Sequence, residues 1–266
     1  MSNLPPNRHP FEVQALHLRS YPYGEADLIV VLLTREYGLM RAIARGVRKA
    51  RSRMSGLISP LRCNRLQLTK GRNLHSISQA ESIHAFSGLQ QDYDRLMVGM
   101  GISELISRFC QEEDAMPEFY DALLSTLEVL NQSEQPRDVL LWFMLYFLEN
   151  QGYYQDWLQC QTCDQVFTPL DVRFQNVLDG GLRCRACKQG PDHRILSPGQ
   201  AQALISLQQA QEPARLDLPA KELNGLIWNL QTQLQHLAGQ ELRCFAFLHP
   251  QASLPLPAIP PSSQPI

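Results

Sequence analysis

Four cysteines in two close pairs constrain the fold of this chain more than any other feature. Cys160 and Cys163 are separated by two residues, twenty residues follow, and Cys184 and Cys187 repeat the spacing. Two Cys-x-x-Cys turns at this distance can surround one tetrahedral ion, a pattern typical of structural zinc. Four sulfur ligands leave no open position for water, so we expect one structural Zn²⁺ rather than a catalytic metal.

A redox role for a Cys-x-x-Cys pair is the rival interpretation. It requires a pair at a helix N-terminus in a βαβ setting, which the sequence lacks. The total of seven cysteines is odd, which favours a reducing cytosol and a metal over a disulfide framework. The N-terminal residues have no apolar run behind their charges, and the longest apolar run, 139–148, is about half a membrane span. We therefore expect a cytoplasmic protein with no signal peptide.

The period of the apolar residues changes near residue 85. Before it, five short segments are predicted strands, and turn residues such as those at 21–24 separate them: 13–19, 27–34, 38–45, 61–68 and 74–82. Five short strands in about 70 residues predict an OB-fold β-barrel, a fold often built around single-stranded nucleic acid. Beyond residue 85 the spacing predicts helices at 89–110, 117–130, 137–150, 198–208 and 219–237.

We therefore expect an α+β protein in three parts. Residues 1–84 form an OB-fold nucleic-acid-binding domain, and residues 85–248 form an α-helical domain with the zinc finger inserted at 157–192. Inside the finger, residues 166–167 and 172–178 are predicted to form a small hairpin. The last part, 249–266, is rich in proline and is predicted to be disordered.

The charges are divided unevenly along the chain. Residues 1–80 contain 13 Lys and Arg against 4 Asp and Glu, whereas residues 81–266 contain 11 against 22. Between residues 37 and 80 there are ten basic residues and no acidic one. This split favours a polyanionic partner over chance clustering on a solvated surface. The predicted nucleic-acid contacts are Arg41, Arg45, Arg48, Lys49, Arg51, Arg53, Arg65, Lys70 and Arg72.

The densest part of this basic segment divides into a strand and a loop. Arg41 and Arg45 are expected to point outward, opposite an inward row of Met40, Ala42 and Ala44. Residues 46–56 have no apolar helical stripe, so we expect a flexible loop that orders when phosphate binds. Aromatic residues are sparse: Tyr37 is the main one, and Tyr21 and Tyr23 lie nearby. Binding is therefore predicted to depend on phosphate charge more than on base stacking.

The sequence contains no recognisable catalytic set of residues. Neither a Gly-x-x-x-x-Gly-Lys-Ser/Thr loop nor a Gly-x-Gly-x-x-Gly turn is present, and the seven histidines are scattered. We therefore expect a binding protein, not an enzyme. The arginines and lysine around the second cysteine pair either contact phosphate or are solvated neighbours of the thiolates: Arg183, Arg185, Lys188 and Arg194.

Four short motifs together resemble a known family. Tyr-Gly-Glu-Ala-Asp at 23–27, Glu-Tyr-Gly at 36–38, Ala-Arg-Gly-Val-Arg-Lys at 44–49 and Gly-Gly-Leu-Arg-Cys-Arg-Ala-Cys at 180–187 resemble the bacterial recombination mediators of the RecO family, in its zinc-bearing form. The resemblance implies an OB fold that binds single- and double-stranded DNA and a helical domain that holds zinc. It also implies a nucleoid-associated bacterial protein without enzymatic activity.

The same resemblance implies partners and a role in DNA repair. Members anneal complementary strands and, with RecR, help RecA to displace the single-stranded DNA-binding protein SSB, which they engage through its C-terminal tail. Two other functions remain open from the residues alone. One is a zinc-ribbon, OB-fold factor that binds RNA or acts in translation, and the other is a scaffold whose basic face docks an acidic partner.

Overall fold

The first five strands of the chain close into a barrel. The computed structural model describes residues 9–71, 74–112, 114–169 and 171–248. Its first strands are β1 (Phe11–Tyr23), β2 (Asp27–Thr34), β3 (Gly38–Ala44), β4 (Cys63–Thr69) and β5 (His75–His84). They are ordered β1-β2-β3-β5-β4, and β4 pairs with β1 to complete the closure. Among the described barrel strands, β3 and β5 are the one parallel pair. The predicted OB-like barrel is confirmed.

Alternating side chains fill the barrel interior. Met40, Ala42 and Ala44 lie in the core together with residues from the other strands, as their period of two predicts. Two small alanines on one strand leave room for the larger side chains opposite, which suits a five-stranded barrel. The other face of β3 is not wholly solvated, because Leu39 and Ile43 are also buried.

Strand β1 is longer than its sequence predicts, and the turn expected over residues 21–24 is wrong. The strand runs to Tyr23, and the chain turns over residues 24–26 instead. Pro22 suggested a turn because it cannot donate a backbone hydrogen bond. It is accommodated because β4 pairs with β1 over residues 11–16, which leaves the second half of β1 with one paired strand, β2. Proline is tolerated on such an edge.

The basic loop after β3 is anchored, which corrects the expected flexible segment. Val47 and Ile58 belong to the barrel core, and Met54 packs against it. The backbone of the loop is also fixed, since the Gly46 N–H donates to Asp27 Oδ1 at 2.7 Å. The loop folds as a series of turns rather than as a helix, so these anchoring contacts could not be predicted from the period of its apolar residues.

Three helices follow the barrel: α1 (Ser87–Gln91), α2 (Tyr93–Phe109) and α3 (Pro117–Gln132). The predicted helix at 89–110 is divided at Asp92, whose side chain accepts a hydrogen bond from the Arg95 N–H at 2.9 Å and so begins a new helix. Arg35, at the end of β2, donates two hydrogen bonds to Asp121 of α3 at 2.9 and 2.8 Å. This bidentate pair fixes α3 beside the barrel.

The remaining elements are α4 (Pro136–Asn150), β6 (Arg173–Asn176), β7 (Leu182–Arg183), β8 (His193–Leu196), α5 (Pro198–Gln209), α6 (Ala220–Ala238) and a 3₁₀ helix (Arg243–Leu248). The hairpin predicted between residues 166–167 and 172–178 is wrong. β6 pairs with β7 and β8. Val166 instead forms a bridge with Gln159, because residues 158–167 close on themselves around the first cysteine pair.

The chain divides into two compact units, Met1–Gln132 and Ser133–Ile266. The barrel and α1–α3 belong to the first, and α4, the cysteine finger, α5 and α6 belong to the second. The domain boundaries predicted from sequence, after 84 and after 248, stay a prediction, and the proline-rich segment at 249–266 lies outside the described residues. Within the described residues, no helix has the length and apolar character needed to cross a bilayer.

Lowering the pH should reduce the free energy of unfolding, because His17 is buried in its neutral form. This residue lies in β1 where the register shifts, it is 1% exposed, and burial lowers its pKa to about 4. The unfolded chain binds this proton near pH 6.5, so stability is lost as the pH falls from about 6.5 towards 4. By pH 5 the loss is about 2 kcal/mol. Urea unfolding at pH 8 and pH 5 measures it, and His17→Leu should remove this part of the pH dependence. Equal pH dependence in both proteins would contradict the prediction.

Candidate metal centre and nucleic-acid interface

The four predicted metal ligands come together at one point. The Sγ atoms of Cys160, Cys163, Cys184 and Cys187 all lie within 4.8 Å of one another, and the Sγ atoms of Cys163 and Cys184 are 3.9 Å apart. Tetrahedral coordination at 2.3 Å requires sulfur atoms about 3.8 Å apart. The cysteines are not joined as disulfides. The donor set and its spacing therefore fit a metal ion.

Backbone turns present these sulfur atoms. The Asp164 N–H donates to the Cys160 carbonyl at 2.9 Å, and the Lys188 N–H donates to the Cys184 carbonyl at 3.0 Å, so each pair sits in a tight turn. Burial of Cys160 opposes ionisation, but backbone N–H groups of Cys184, Thr162 and Cys163 outweigh it and lower its pKa to about 6. The Cys184 N–H lies 3.4 Å from Cys160 Sγ. This thiol is thus prepared to bind a cation as thiolate.

Buried amides hold the finger against α6. The Asn229 side chain donates to Gln175 of β6 at 2.8 Å, and both Gln233 and Gln155 donate to the Asp179 carbonyl, at 3.2 and 3.0 Å. Gly180 packs so closely on Gln233 that a methyl group there would collide with its amide. This contact gives the glutamine-rich helix a structural role that the sequence did not indicate, and it orients the cysteine turns.

Most of the cations beside the second cysteine pair have partners within the finger or on α6. Arg183 donates to Gln161 and forms an ion pair with Asp179. Lys188 lies over the Phe174 ring at 5.3 Å, and Arg194 lies over Trp228 at 5.2 Å. Arg185 is exposed and has no partner among the described residues. The structure therefore favours local packing for three of the four.

Two of the predicted nucleic-acid contacts are joined to carboxylates. Arg41 forms an ion pair with Glu112 at 2.8 Å. Arg65 pairs with Glu12 at 3.3 Å and Glu81 at 3.2 Å. The segment from 37 to 80 contains no acid, yet folding brings these three glutamates to it from outside. Arg41 and Arg65 remain exposed, but a phosphate would have to compete for them.

Five of the other predicted contacts form what we call the cationic loop. Its members are exposed, lie between β3 and β4, and pair with no carboxylate among the described residues: Arg45, Arg48, Lys49, Arg51 and Arg53. The backbone N–H of Arg48 donates to Ala26 at 2.9 Å, and its guanidinium donates to Gly24 at 3.3 Å, so the loop is fixed to the β1–β2 turn. Lys70 is half-buried after β4. Arg72 lies outside the described residues.

The aromatic residues beside this loop differ from those the sequence emphasised. Tyr37 is half-buried and packs edge-on against Phe11 at 5.5 Å. Tyr21 and Tyr23 are 43% and 51% exposed at the end of β1, and Arg19 lies 4.9 Å from the Tyr21 ring centre. The alternation of residues 19, 21 and 23 could have shown that both tyrosines lie on one face of a strand. Pro22 favoured a turn there instead.

Comparison with known proteins connects both halves to one family. The model for the N-terminal part of recombination protein O matches residues 9–86, and that for the C-terminal part matches residues 90–242. The chain belongs to the RecO family. DNA repair protein RecO from Nocardioides sp. is 34% identical over 237 residues, which are 85% of this chain and 96% of the relative. RecO from Dehalococcoides mccartyi is 30% identical over 180 residues, 68% and 71% of the two chains. The barrel and the helical part thus correspond to the two RecO segments.

The cysteine cluster should bind about one metal ion per chain, because four sulfur ligands complete one tetrahedral site. Elemental analysis of the purified protein measures this ratio and identifies the metal. Cys184→Ser should lower the ratio at least about tenfold and destabilise the second unit. Cys244→Ser, which changes a cysteine outside the cluster, is the matched control. If the wild-type protein contained no metal and were as stable as the Cys184→Ser variant, a structural metal would be excluded.

Proposed function

We propose that this RecO-family chain is a DNA-binding recombination mediator whose barrel binds single- and double-stranded DNA. The observation that carries the proposal is the cationic loop: five exposed cations without a carboxylate partner in the described part of the chain, on a barrel of the OB type. Phosphate oxygens would pair with these cations in the way that carboxylates pair with Arg41 and Arg65. Each phosphate neutralised releases condensed counterions, which supplies most of the affinity of sequence-independent binding.

The anchoring of the loop supports this role. Contacts of Val47, Met54 and Ile58 with the core fix the backbone before any ligand arrives. A preorganised loop loses less conformational entropy on binding than a flexible one, so more of the electrostatic free energy appears as affinity. Contacts to phosphate carry no base information, so binding through this loop has little sequence preference.

We extend the proposal to the partners that the family resemblance implies. In this account the chain anneals complementary strands and, together with RecR, helps RecA to replace SSB, which it engages through the SSB C-terminal tail. Cations that neutralise the phosphates of two strands lower their mutual repulsion, which gives annealing a physical basis without a chemical step. The role is therefore one of binding, not of enzymatic catalysis. The relatives' shared name, DNA repair protein RecO, supports it.

The metal in this proposal is a single structural Zn²⁺ held by Cys160, Cys163, Cys184 and Cys187. Four thiolates in tetrahedral spacing match the preference of zinc and leave no position for a reacting water. The ion would join the two cysteine turns and stabilise the finger that α6 holds by its buried amides. Zinc would thus contribute to folding rather than to chemistry.

Salt dependence should report how many cations bind phosphate. If all five loop cations do so, the logarithm of affinity falls against the logarithm of salt with a slope of about −3.5 for single strands and −4.5 for duplex. Replacing Arg48, Lys49, Arg51 and Arg53 by Ala should make the single-strand slope shallower by up to about 2.8. Fluorescence anisotropy over a salt series measures both. Arg41→Ala with Arg65→Ala, which removes ion-paired arginines, is the control and should change the slope less. A flat wild-type slope would refute the site.

Strand annealing tests the mediator role itself. The chain should speed the pairing of complementary strands precoated with SSB at least about tenfold, because it offsets phosphate repulsion. Fluorescence energy transfer between end-labelled strands measures the reaction. The variant with Arg48, Lys49, Arg51 and Arg53 replaced by Ala should lose most of the acceleration. If matched RNA displaces DNA from the protein and no annealing occurs, an RNA-binding factor replaces this proposal.

A further inference from the structure

We propose that Tyr21 and Tyr23 form a stacking surface for unpaired bases, through which the protein distinguishes single strands from duplex. This inference rests on the proposed DNA-binding function and specifies its substrate. It assigns the two tyrosines a role in specificity and leaves general affinity to the cationic loop.

The register of β1 places the two rings on the outer face of the barrel. The strand changes register between His17 and Arg19, and from there Ser20 pairs with Val30, a core residue. Directly paired residues share a face, so Ser20 and Pro22 lie on the same face as Val30 and Leu28, although Pro22 is itself exposed at the end of the strand. Residues 19, 21 and 23 therefore face outward together, and they follow one another at intervals of about 6.6 Å along the strand.

Neighbouring strands extend this outer face. Tyr21 pairs with Ile29 of β2, which in turn pairs with Ile43 of β3, so an apolar row crosses the sheet beside the ring. The next row contains Arg19, Val31 and Arg41. Arg19 lies over one face of the Tyr21 ring, 4.9 Å from its centre, so a base would stack on the opposite face with a cation close by for its phosphate.

The tyrosines are accessible because this part of β1 has a single neighbouring strand. β4 pairs with β1 only as far as Leu16, so among the described residues no strand is paired with residues 19–23 on that side. Two large rings in succession are exposed by about half, where burial against a neighbour would be the usual outcome for an apolar body. Exposed aromatic rings at regular strand spacing are the feature on which single strands stack.

The cationic loop begins directly beside this surface. Its Arg48 guanidinium donates to the Gly24 carbonyl, one residue beyond Tyr23, and Asp27, paired with Tyr23, accepts the Gly46 N–H. A strand whose phosphates lie along the loop can therefore turn its bases towards the tyrosines. In a duplex the bases are already stacked and paired with each other, so only the phosphates would be bound.

The test compares oligo(dT) with a blunt duplex of the same length, using the full chain. Tyr21→Ala with Tyr23→Ala should weaken binding of the single strand at least about tenfold, change duplex affinity less than about twofold, and leave both salt slopes unchanged. Phe at both positions keeps the rings and should restore single-strand affinity. Tyr93→Ala removes a 67% exposed tyrosine from α2 and serves as the matched control.

Several results would overturn the inference. Unchanged single-strand affinity in the double alanine variant would do so, and so would an equal loss for single strand and duplex, or failure of the Phe variant to restore binding. Urea unfolding confirms that the variants remain folded. Failure of the proposed function looks different: the wild-type protein would bind neither substrate, or removal of the loop cations would have no effect on either.

Discussion

Closure of the barrel through β1 is the constraint on which the first unit depends. One long strand pairs with β4 over residues 11–16 and with β2 over residues 15–23, and the register shift after His17 lets it bend between the two neighbours. This arrangement buries a histidine in the wall and leaves residues 19–23 on an edge. It also brings the β1–β2 turn to the start of the cationic loop, where Asp27 fixes Gly46. The candidate DNA-binding surface is thus a product of how the barrel closes.

Ion pairing then decides which cations remain available. A uniform run of positive charge in the sequence becomes two populations in the fold: arginines on strands, neutralised by glutamates from elsewhere, and the cations of the loop, which no described carboxylate approaches. Exposed pairs of this kind contribute little stability. Their effect is on the surface field, because they reduce the positive charge on the strands and leave that of the loop beside Tyr21 and Tyr23 without a described carboxylate partner.

The second unit follows a different principle, in which buried amides form single hydrogen bonds to one another or to the backbone. Amides of α6 and of the segment after α4 converge on one carbonyl, that of Asp179, just before the glycine pair that leads to Cys184. A buried amide without a partner is costly, so these bonds specify one position for the finger. The metal-binding turns are therefore held from outside by helices as well as from within by their own backbone.

The sequence by itself determined the barrel, most of the helices and the four cysteines that could hold a metal ion. These follow from local rules: the period of apolar residues sets each element, and two Cys-x-x-Cys turns supply four thiolates whatever surrounds them. Only the tertiary structure decided that Pro22 lies on a strand edge, that Val47 and Ile58 anchor the loop, and which arginines meet glutamates. Each of these features depends on contacts between residues that are distant in sequence. A local sequence pattern does not specify such contacts.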